Sequence, residues 1–276
     1  MADNGPVLSL RQRIPVAQRV DCSALTPERL AGSSVAQVER LPLRLGRVEV
    51  PLAEIFTVAG EAGSTLRFEL SQPHFDRIGA ALAGGSIEVA GDAGAYAGIG
   101  MRAGRLDIEG SAGAFAGCSM SGGSIVVRRD AGDLLGAPLP GEHKGMSGGS
   151  IVVLGSAGAR AGDHMRRGTI VIDGDAGDYA GARMGGGTLA VLGGCGVRPG
   201  YGMRRGTLLF LGEAPRTGAT FADCGAHRLG FLALLARDWK ALPSRIASLE
   251  RADCVARRWM GDQGFGGQGE LLHWPA

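Results

Sequence analysis

Between Gly85 and Gly212, short runs of alternating apolar and polar residues return at a fixed spacing. The pattern Gly-[Ser/Thr]-[Ile/Leu]-x-[Val/Ile]-x-Gly begins at Gly85, Gly123, Gly149, Gly168, Gly187 and Gly206, the last with Phe210 in the Val/Ile slot. Gly104 begins a copy with Arg105 in the Ser/Thr slot, and the copy at Gly123 ends on Arg129. Successive copies are 19 residues apart except for one step of 26, which is one unit plus seven residues. Alternation with period two is the mark of a half-buried strand. The apolar slots repeat from Ile87 and Val89 in the first copy to Leu208 and Phe210 in the last.

A second signal runs between the strands. Gly-x-x-x-Gly-x-x-Met appears at Gly94/Gly98/Met101, Gly113/Gly117/Met120, Gly158/Gly162/Met165, Gly177/Gly181/Met184 and Gly196/Gly200/Met203. In the long unit Gly132 and Gly136 keep their places, and the insert around Pro138 to Lys144 delays Met146. That insert, with Pro138, Pro140 and Gly141, predicts a protruding loop.

Nineteen residues cannot hold two helices and their turns, but they can hold two or three short strands with glycine corners. The expected fold is therefore mainly β: a right-handed, single-stranded parallel β-helix of about seven coils. The methionines are its core fillers. A flexible glycine linker would lack aligned apolar columns. Six-residue β-helix repeats do not divide 19. Calcium-binding repeats would need an acid in every turn, whereas that column reads Asp92, Ser111, Asp130, Ser156, Asp175, Gly194.

Flanking segments complete three expected regions. Residues 1–65 form a small N-terminal α/β cap, with a strand at Val7 to Leu10, a helix opening at Thr26-Pro27, and strands over Val38 to Leu45 and Val48 to Val50. Residues 66–212 form the β-helix, opened by a degenerate coil at Leu66 to Leu70. Residues 213–276 hold a turn-rich exit from Thr217 to Gly225, a helix near Leu229 to Lys240, a second short helix from Ile246 to Val255, and a tail packed on the β-helix or a partner.

The slots facing outward change character along the repeat. Early strands carry Glu88, Asp107 and Glu109, and later ones Val126, Val152, Val171 and Leu209. The later face must be covered, by the Leu229–Lys240 helix or in part by a partner subunit. At another corner, Arg102, Arg166, Arg167, Arg204 and Arg205 follow the Met column, with Arg160 and Arg198 in a second column and Arg183 nearby. They read either as solvated or ion-paired edge residues or as an anion track for a polyacidic ligand.

Bulk properties narrow the function. The formal net charge of +2 gives no case for nucleic acid, and no apolar run reaches membrane-spanning length. Met1 to Asn4 lack a secretion pattern. Five scattered cysteines without CxxC spacing read as buried thiols of a cytoplasmic protein. The five histidines show no metal-ligand spacing, and no Ser or Cys lies in a nucleophile elbow. Stacked acids on a β-helix keep polysaccharide-lyase chemistry as one alternative.

The 19-residue repeat resembles the C subunit of formylmethanofuran dehydrogenase, and that of the related bacterial formyltransferase/hydrolase complex. More distantly it resembles the C-terminal β-helix domain of the glutamate synthase large subunit. The lead-in Val48 to Val58, the ending Arg258-Trp259-Met260-Gly261-Asp262 and Gly267-Gln268-Gly269-Glu270 also match the pattern of these C subunits. The resemblance implies a non-catalytic subunit of a one-carbon enzyme complex, with hydrolase-like and formyltransferase subunits as partners, binding no catalytic cofactor itself. It also implies contact with a methanofuran-type carrier (methylofuran), whose formyl group passes to or from tetrahydromethanopterin. The five Arg after the Met column are then a track for the carrier's polyglutamate tail. The glutamate synthase likeness implies instead a structural coupling domain.

Overall fold

The computed structural model describes residues 5–248 and 254–275. At the N-terminus come β1 (Val7–Gln12), β2 (Val20–Asp21), α1 (Pro27–Leu30), α2 (Val35–Glu39), β3 (Pro42–Leu45), β4 (Val48–Pro51), α3 (Leu52–Ile55) and β5 (Phe56–Gly60). The repeat follows as β6 (Thr65–Ser71), β7 (Phe75–Asp76), β8 (Ser86–Gly91), β9 (Arg105–Ile108), β10 (Ser124–Val127), β11 (Ser147–Val153), β12 (Arg167–Ile172), β13 (Gly185–Val191) and β14 (Arg205–Phe210). The chain ends with β15 (Ala222–Arg228), α4 (Phe231–Trp239), β16 (Val255–Gly261) and β17 (Gly269–His273).

The molecule is mainly β and is built on a 13-stranded sheet in the order β15-β16-β17-β14-β13-β12-β11-β10-β9-β8-β6-β1-β5. From β1 to β14 and on to β17 neighbours are parallel, and equivalent slots pair: Ile87 with Leu106, Leu106 with Ile125, Ile125 with Ile151. The degenerate first unit joins in register, with Leu66 opposite Ile87 and Phe68 opposite Val89. The 26-residue step keeps register because the exposed residues 140–144 loop out while Ser124 still pairs with Ser150.

A second parallel ladder, one residue wide, runs through Ala93, Ala112, Ala131, Ala157, Ala176 and Cys195. Between the two ladders lies one apolar core that contains the inward strand residues and all six repeat methionines, each fully buried. Inter-unit backbone bonds recur at every corner, and side chains add to them. Asp92, Asp130 and Asp175 each accept from the backbone N–H of the next unit, at 2.8, 2.8 and 2.6 Å. The column too irregular for calcium thus seals one unit to the next. At Gly177 an added Cβ would lie 2.7 Å from the backbone of Ala159 and Gly158, so glycine there permits the close approach.

Glycine does not take every left-handed position: Ala81, Ser119, His164 and Arg183 share one such column with Gly100 and Gly202, and a second column holds no glycine. Arg77, Tyr96, Phe115, Leu134, Arg160, Tyr179 and Arg198 all have φ between 55° and 63°. Each sits at the same turn of its unit. The side chains stack along the outside: Tyr96 on Phe115 at 4.9 Å, with Arg77 over Tyr96 and both Arg160 and Arg198 over Tyr179. Outward stacking of large groups offsets a conformational cost that glycine would avoid.

The flanks hold several differences. Val38, expected in a strand, is in α2, whose start is a capping box of Ser34 and Gln37. The exit expected to be turns through Gly225 becomes strand β15 at Ala222, because residues from β16 pair with it antiparallel. The helix expected over 246–255 is a short 3-10 turn at Arg245–Ser248; residues 249–253 lie outside the described residues, and Val255 begins β16. The Leu229–Lys240 helix is present as α4, and Leu232 and Trp239 pack in one cluster with Val152, Val171, Ala190 and Leu209. The apolar outward face of the later strands is covered from within the chain.

Candidate functional site: an arginine-lined corner

Arg102, Arg166 and Arg204 each follow a buried core residue of the Met column, and the intervening slots hold Ser121, Ser147 and Gly185. The backbone N–H at this slot donates to the Met carbonyl one unit earlier, from Arg166 to Met146 at 2.8 Å and from Arg204 to Met184 at 2.7 Å. Successive slots are therefore stacked about 4.8 Å apart. Arg166 and Arg204 stand two rungs apart, roughly 10 Å, with glycine between them. The Arg166 side chain lies over that glycine, where a Cβ at Gly185 would be 3.0 Å from its Nη1, and its Nη2 donates to the His143 carbonyl at 3.4 Å. Arg205 pairs opposite Gly185 in the β13–β14 ladder.

Together Arg166, Gly185, Arg204 and Arg205 line a cavity of about 480 Å³, completed by Phe265, Gly266 and Gln268 from the C-terminal tail. The tail is tied there by the Gln268 backbone N–H, which donates to the Arg204 carbonyl at 2.8 Å. Arg102 and Arg167 do not line this cavity. Arg102 is three rungs from Arg166, roughly 14 Å, and its guanidinium donates to the Ala81 carbonyl at 3.5 Å. Arg167 lies opposite Ser147. The structure thus brings together three of the five arginines singled out from sequence.

None of these five arginines is in an ion pair among the described residues. Their neighbours differ. Arg183 holds both oxygens of the buried Asp163, and Arg198 donates to the Tyr179 hydroxyl at 3.2 Å. Guanidinium stays charged at any physiological pH and suits planar carboxylates. Three such groups around one cavity, with no carboxylate among its lining residues, repel one another and favour an anion. Gly185, Phe265 and Gln268 were not legible as site residues. Phe265 and Gln268 sit in a non-repeating tail, and only the Gly-rich spacing around them hinted that it folds back.

A second cavity, of about 360 Å³, lies under the insert loop and is lined by His143, His164, Asp163 and Arg160 among others. The His164 Nδ1 is 3.0 Å from Asp163 Oδ1. Burial, outweighing the pull of Asp163, pushes His164 below its ordinary value, so it is neutral at pH 7. Burial likewise pushes the Cys118 thiol up to about 11 and the Cys195 thiol up to about 12, which favours the protonated form of both. Among the described residues no group of three or more His, Cys, Asp or Glu is placed to hold a metal, and no helix is long and apolar enough to cross a membrane.

Residues 54–222 match the family model of the GXGXG motif. The chain is 40% identical over 86 residues to the C subunit of the formyltransferase/hydrolase complex Fhc of Methylorubrum extorquens, an alignment covering 31% of this chain and 32% of that protein. It is 34% identical over 83 residues to the C subunit of molybdenum-containing formylmethanofuran dehydrogenase 1 of Methanosarcina barkeri, covering 28% of each. These sequence alignments span about a third of the length of the curated relatives. The structural match is far longer: a chain in the crystal structure of the Methylorubrum extorquens FhcABCD complex with methylofuran superposes with a TM-score of 0.90 at 40% identity, over 97% of this chain and 99% of that one. The chain belongs to the family of formylmethanofuran dehydrogenase C subunits. The GXGXG match stops at residue 222. Within this member of the C-subunit family it therefore includes Arg166, Arg204 and Arg205 but not Phe265 and Gln268, which close the arginine-lined cavity.

Proposed function

We propose that the chain is a non-catalytic scaffold subunit of a cytoplasmic formyltransferase/hydrolase complex in one-carbon metabolism. Its partners under this reading are hydrolase-like and formyltransferase subunits. The observation that carries it is the agreement, over almost the whole of both chains, with a component of the FhcABCD complex. We take residues 66–212 as a right-handed parallel β-helix, flanked by a cap at 1–65 and a helix and tail at 213–276. The two parallel ladders with a methionine core between them support that reading, and parallel crossovers are overwhelmingly right-handed. A stack of this kind is rigid along its length, and rigidity is what a subunit that spaces other subunits needs.

The arginine corner gives the scaffold a second task. Arg166, Arg204 and Arg205, with Arg102 and Arg167 as outlying members of the track, hold the polyglutamate tail of a methylofuran-type carrier while its reactive end moves between distant active sites. Permanent cations around one open cavity, without an acid partner among the described residues, support this. Purification from the native host tests the assembly: co-elution with a hydrolase-like and a formyltransferase subunit is expected, whereas amidotransferase partners would favour the glutamate-synthase-like coupling role. Replacing Arg166, Arg167, Arg204 and Arg205 by Ala is expected to release carrier from an intact complex. Carrier retained at the unmodified level would remove the track from the proposal.

A further inference from the structure

The cavity under the insert loop, about 360 Å³ in volume, has Phe115, Leu134, Leu139 and Pro140 in its walls, all half-buried or exposed, and Arg160 also lines it. The loop above it is tied down along its length. The Ser119 N–H donates to the Ala137 carbonyl at 3.1 Å, the Ser119 hydroxyl to Glu142 at 3.0 Å, and the Gly145 N–H to the His164 carbonyl at 3.1 Å. The buried carboxylate of the cavity is already paired: Asp163, 2% exposed, holds Arg183 and lies 3.0 Å from the His164 Nδ1. Arg160 differs. Its guanidinium lies over the Tyr179 ring at 5.7 Å and is in no ion pair among the described residues. The cavity thus offers apolar side chains and one cation.

Two of these walls and the cation belong to the left-handed column. Phe115, Leu134 and Arg160 have φ of 62°, 63° and 60°, a conformation that costs an L residue free energy and glycine almost none. Phe115 offsets part of that cost by stacking on Tyr96, and Arg160 by lying over Tyr179. Leu134 brings neither a ring nor a charge to the column. Strain kept at consecutive positions beside a cavity marks side chains held there for contact. The column continues on both sides, from Arg77 to Arg198, six steps of about 4.8 Å or roughly 29 Å in all. A small molecule would fill the cavity and leave the column bare. A second copy laid column to column would set Arg77, Arg160 and Arg198 against the same cations. Tyr, Phe and Arg gathered around one pocket are the composition of a protein-binding hot spot.

We infer that the insert loop and the left-handed column form a docking surface for another subunit of the complex, one that presents an apolar anchor side chain with a carboxylate beside it in sequence. The anchor enters the cavity under the loop, and the carboxylate meets Arg160. This inference rests on the reading of the chain as a complex subunit and is independent of the arginine track.

The test uses the complex purified from the native host. With p-benzoylphenylalanine in place of Leu139, irradiation is expected to link the chain to a peptide of another subunit that holds an apolar residue next to Asp or Glu. Leu134→Gly removes the left-handed strain, so the urea midpoint of the free chain should hold or rise. In cells expressing both forms, the same variant should be about tenfold under-represented in the assembled complex, as expected for the loss of one anchor contact. A link to a second copy of this chain, to a segment without an acid, or to no peptide of the assembled complex would overturn the docking surface and leave the subunit role standing. So would equal incorporation of Leu134→Gly, or a fall in its urea midpoint large enough to account for the under-representation. Recovery of the chain without any other subunit would overturn both.

Discussion

The two halves of the long sheet carry the same residues inward and opposite residues outward. Ile87 and Ile170 are equally buried in the core. On the other face of the early strands, Arg67 pairs with Glu88 at 2.6 Å, and the largely covered Asp107 holds Arg105 at 2.8 Å and Arg128 at 3.2 Å, every partner but Asp107 being about half exposed. On the later strands the same slots hold Val152, Val171, Ala190 and Leu209, sealed under α4 and the β16–β17 hairpin. The arginines divide the same way: those on the early strands have acid partners, and those at the late corner have none among the described residues. Repeating positions set the stack, and departures from the repeat set what each part of the stack can touch. The late end is where the chain places its cover, its non-repeating tail and the three arginines that share one cavity.

Exchanging outward residues between the halves should have unequal consequences. Val171→Asp places a carboxylate in an apolar cluster where Val171 is fully buried. Burying an unpaired charge costs several kcal/mol, so we expect loss of about 4 kcal/mol or more in urea unfolding, or release of α4 seen as faster proteolysis after residue 212. A loss under ~1 kcal/mol would mean that the cover is not packed on the late strands. Trp239→Ala tests the same cover from the other side. Trp239 is 4% exposed, and truncating a buried Trp costs about 3–5 kcal/mol.

Legibility in the sequence followed the same division. The inward slots, the methionine column, the insert and the need for a cover over Val152, Val171 and Leu209 could all be read, because a fixed spacing aligns residues that touch. The α2 start was also written there, as Ser34-x-x-Gln37, a capping box that a strand-like reading of Val38 passed over. Other features had no such signal. Strand β17 pairs with β14 through Leu271 opposite Leu208, but it arrives after a long excursion and keeps only part of the repeat, with Glu270 in the Ser/Thr slot and His273 in the Val/Ile slot. The left-handed corner at Tyr96, Phe115 and Tyr179 was hidden because no glycine marks it. Of the site, the cationic rungs were visible as Arg166, Arg204 and Arg205. Phe265 and Gln268 were not, since a wall contributed by a folded-back tail depends on distant pairing.

The smallest effect belongs to the early face, and it sharpens the contrast most. Asp107→Val removes the shared partner of Arg105 and Arg128 and gives the early strand the kind of residue found on the late one. Those arginines are about half exposed, 53% and 46%, so water can solvate both guanidinium groups once the carboxylate is gone. Exposed ion pairs contribute roughly 0–1 kcal/mol each and are screened by salt. The expected change in urea midpoint is correspondingly small, and it should shrink further between low and high ionic strength. Valine at this slot adds apolar surface with nothing to cover it, because α4 reaches only the later strands. The variant should therefore show a new tendency to self-associate in sedimentation before it shows instability. If Asp107→Val were as damaging as Val171→Asp, the early face would be buried too, and the two halves would not differ in the way their outward residues indicate.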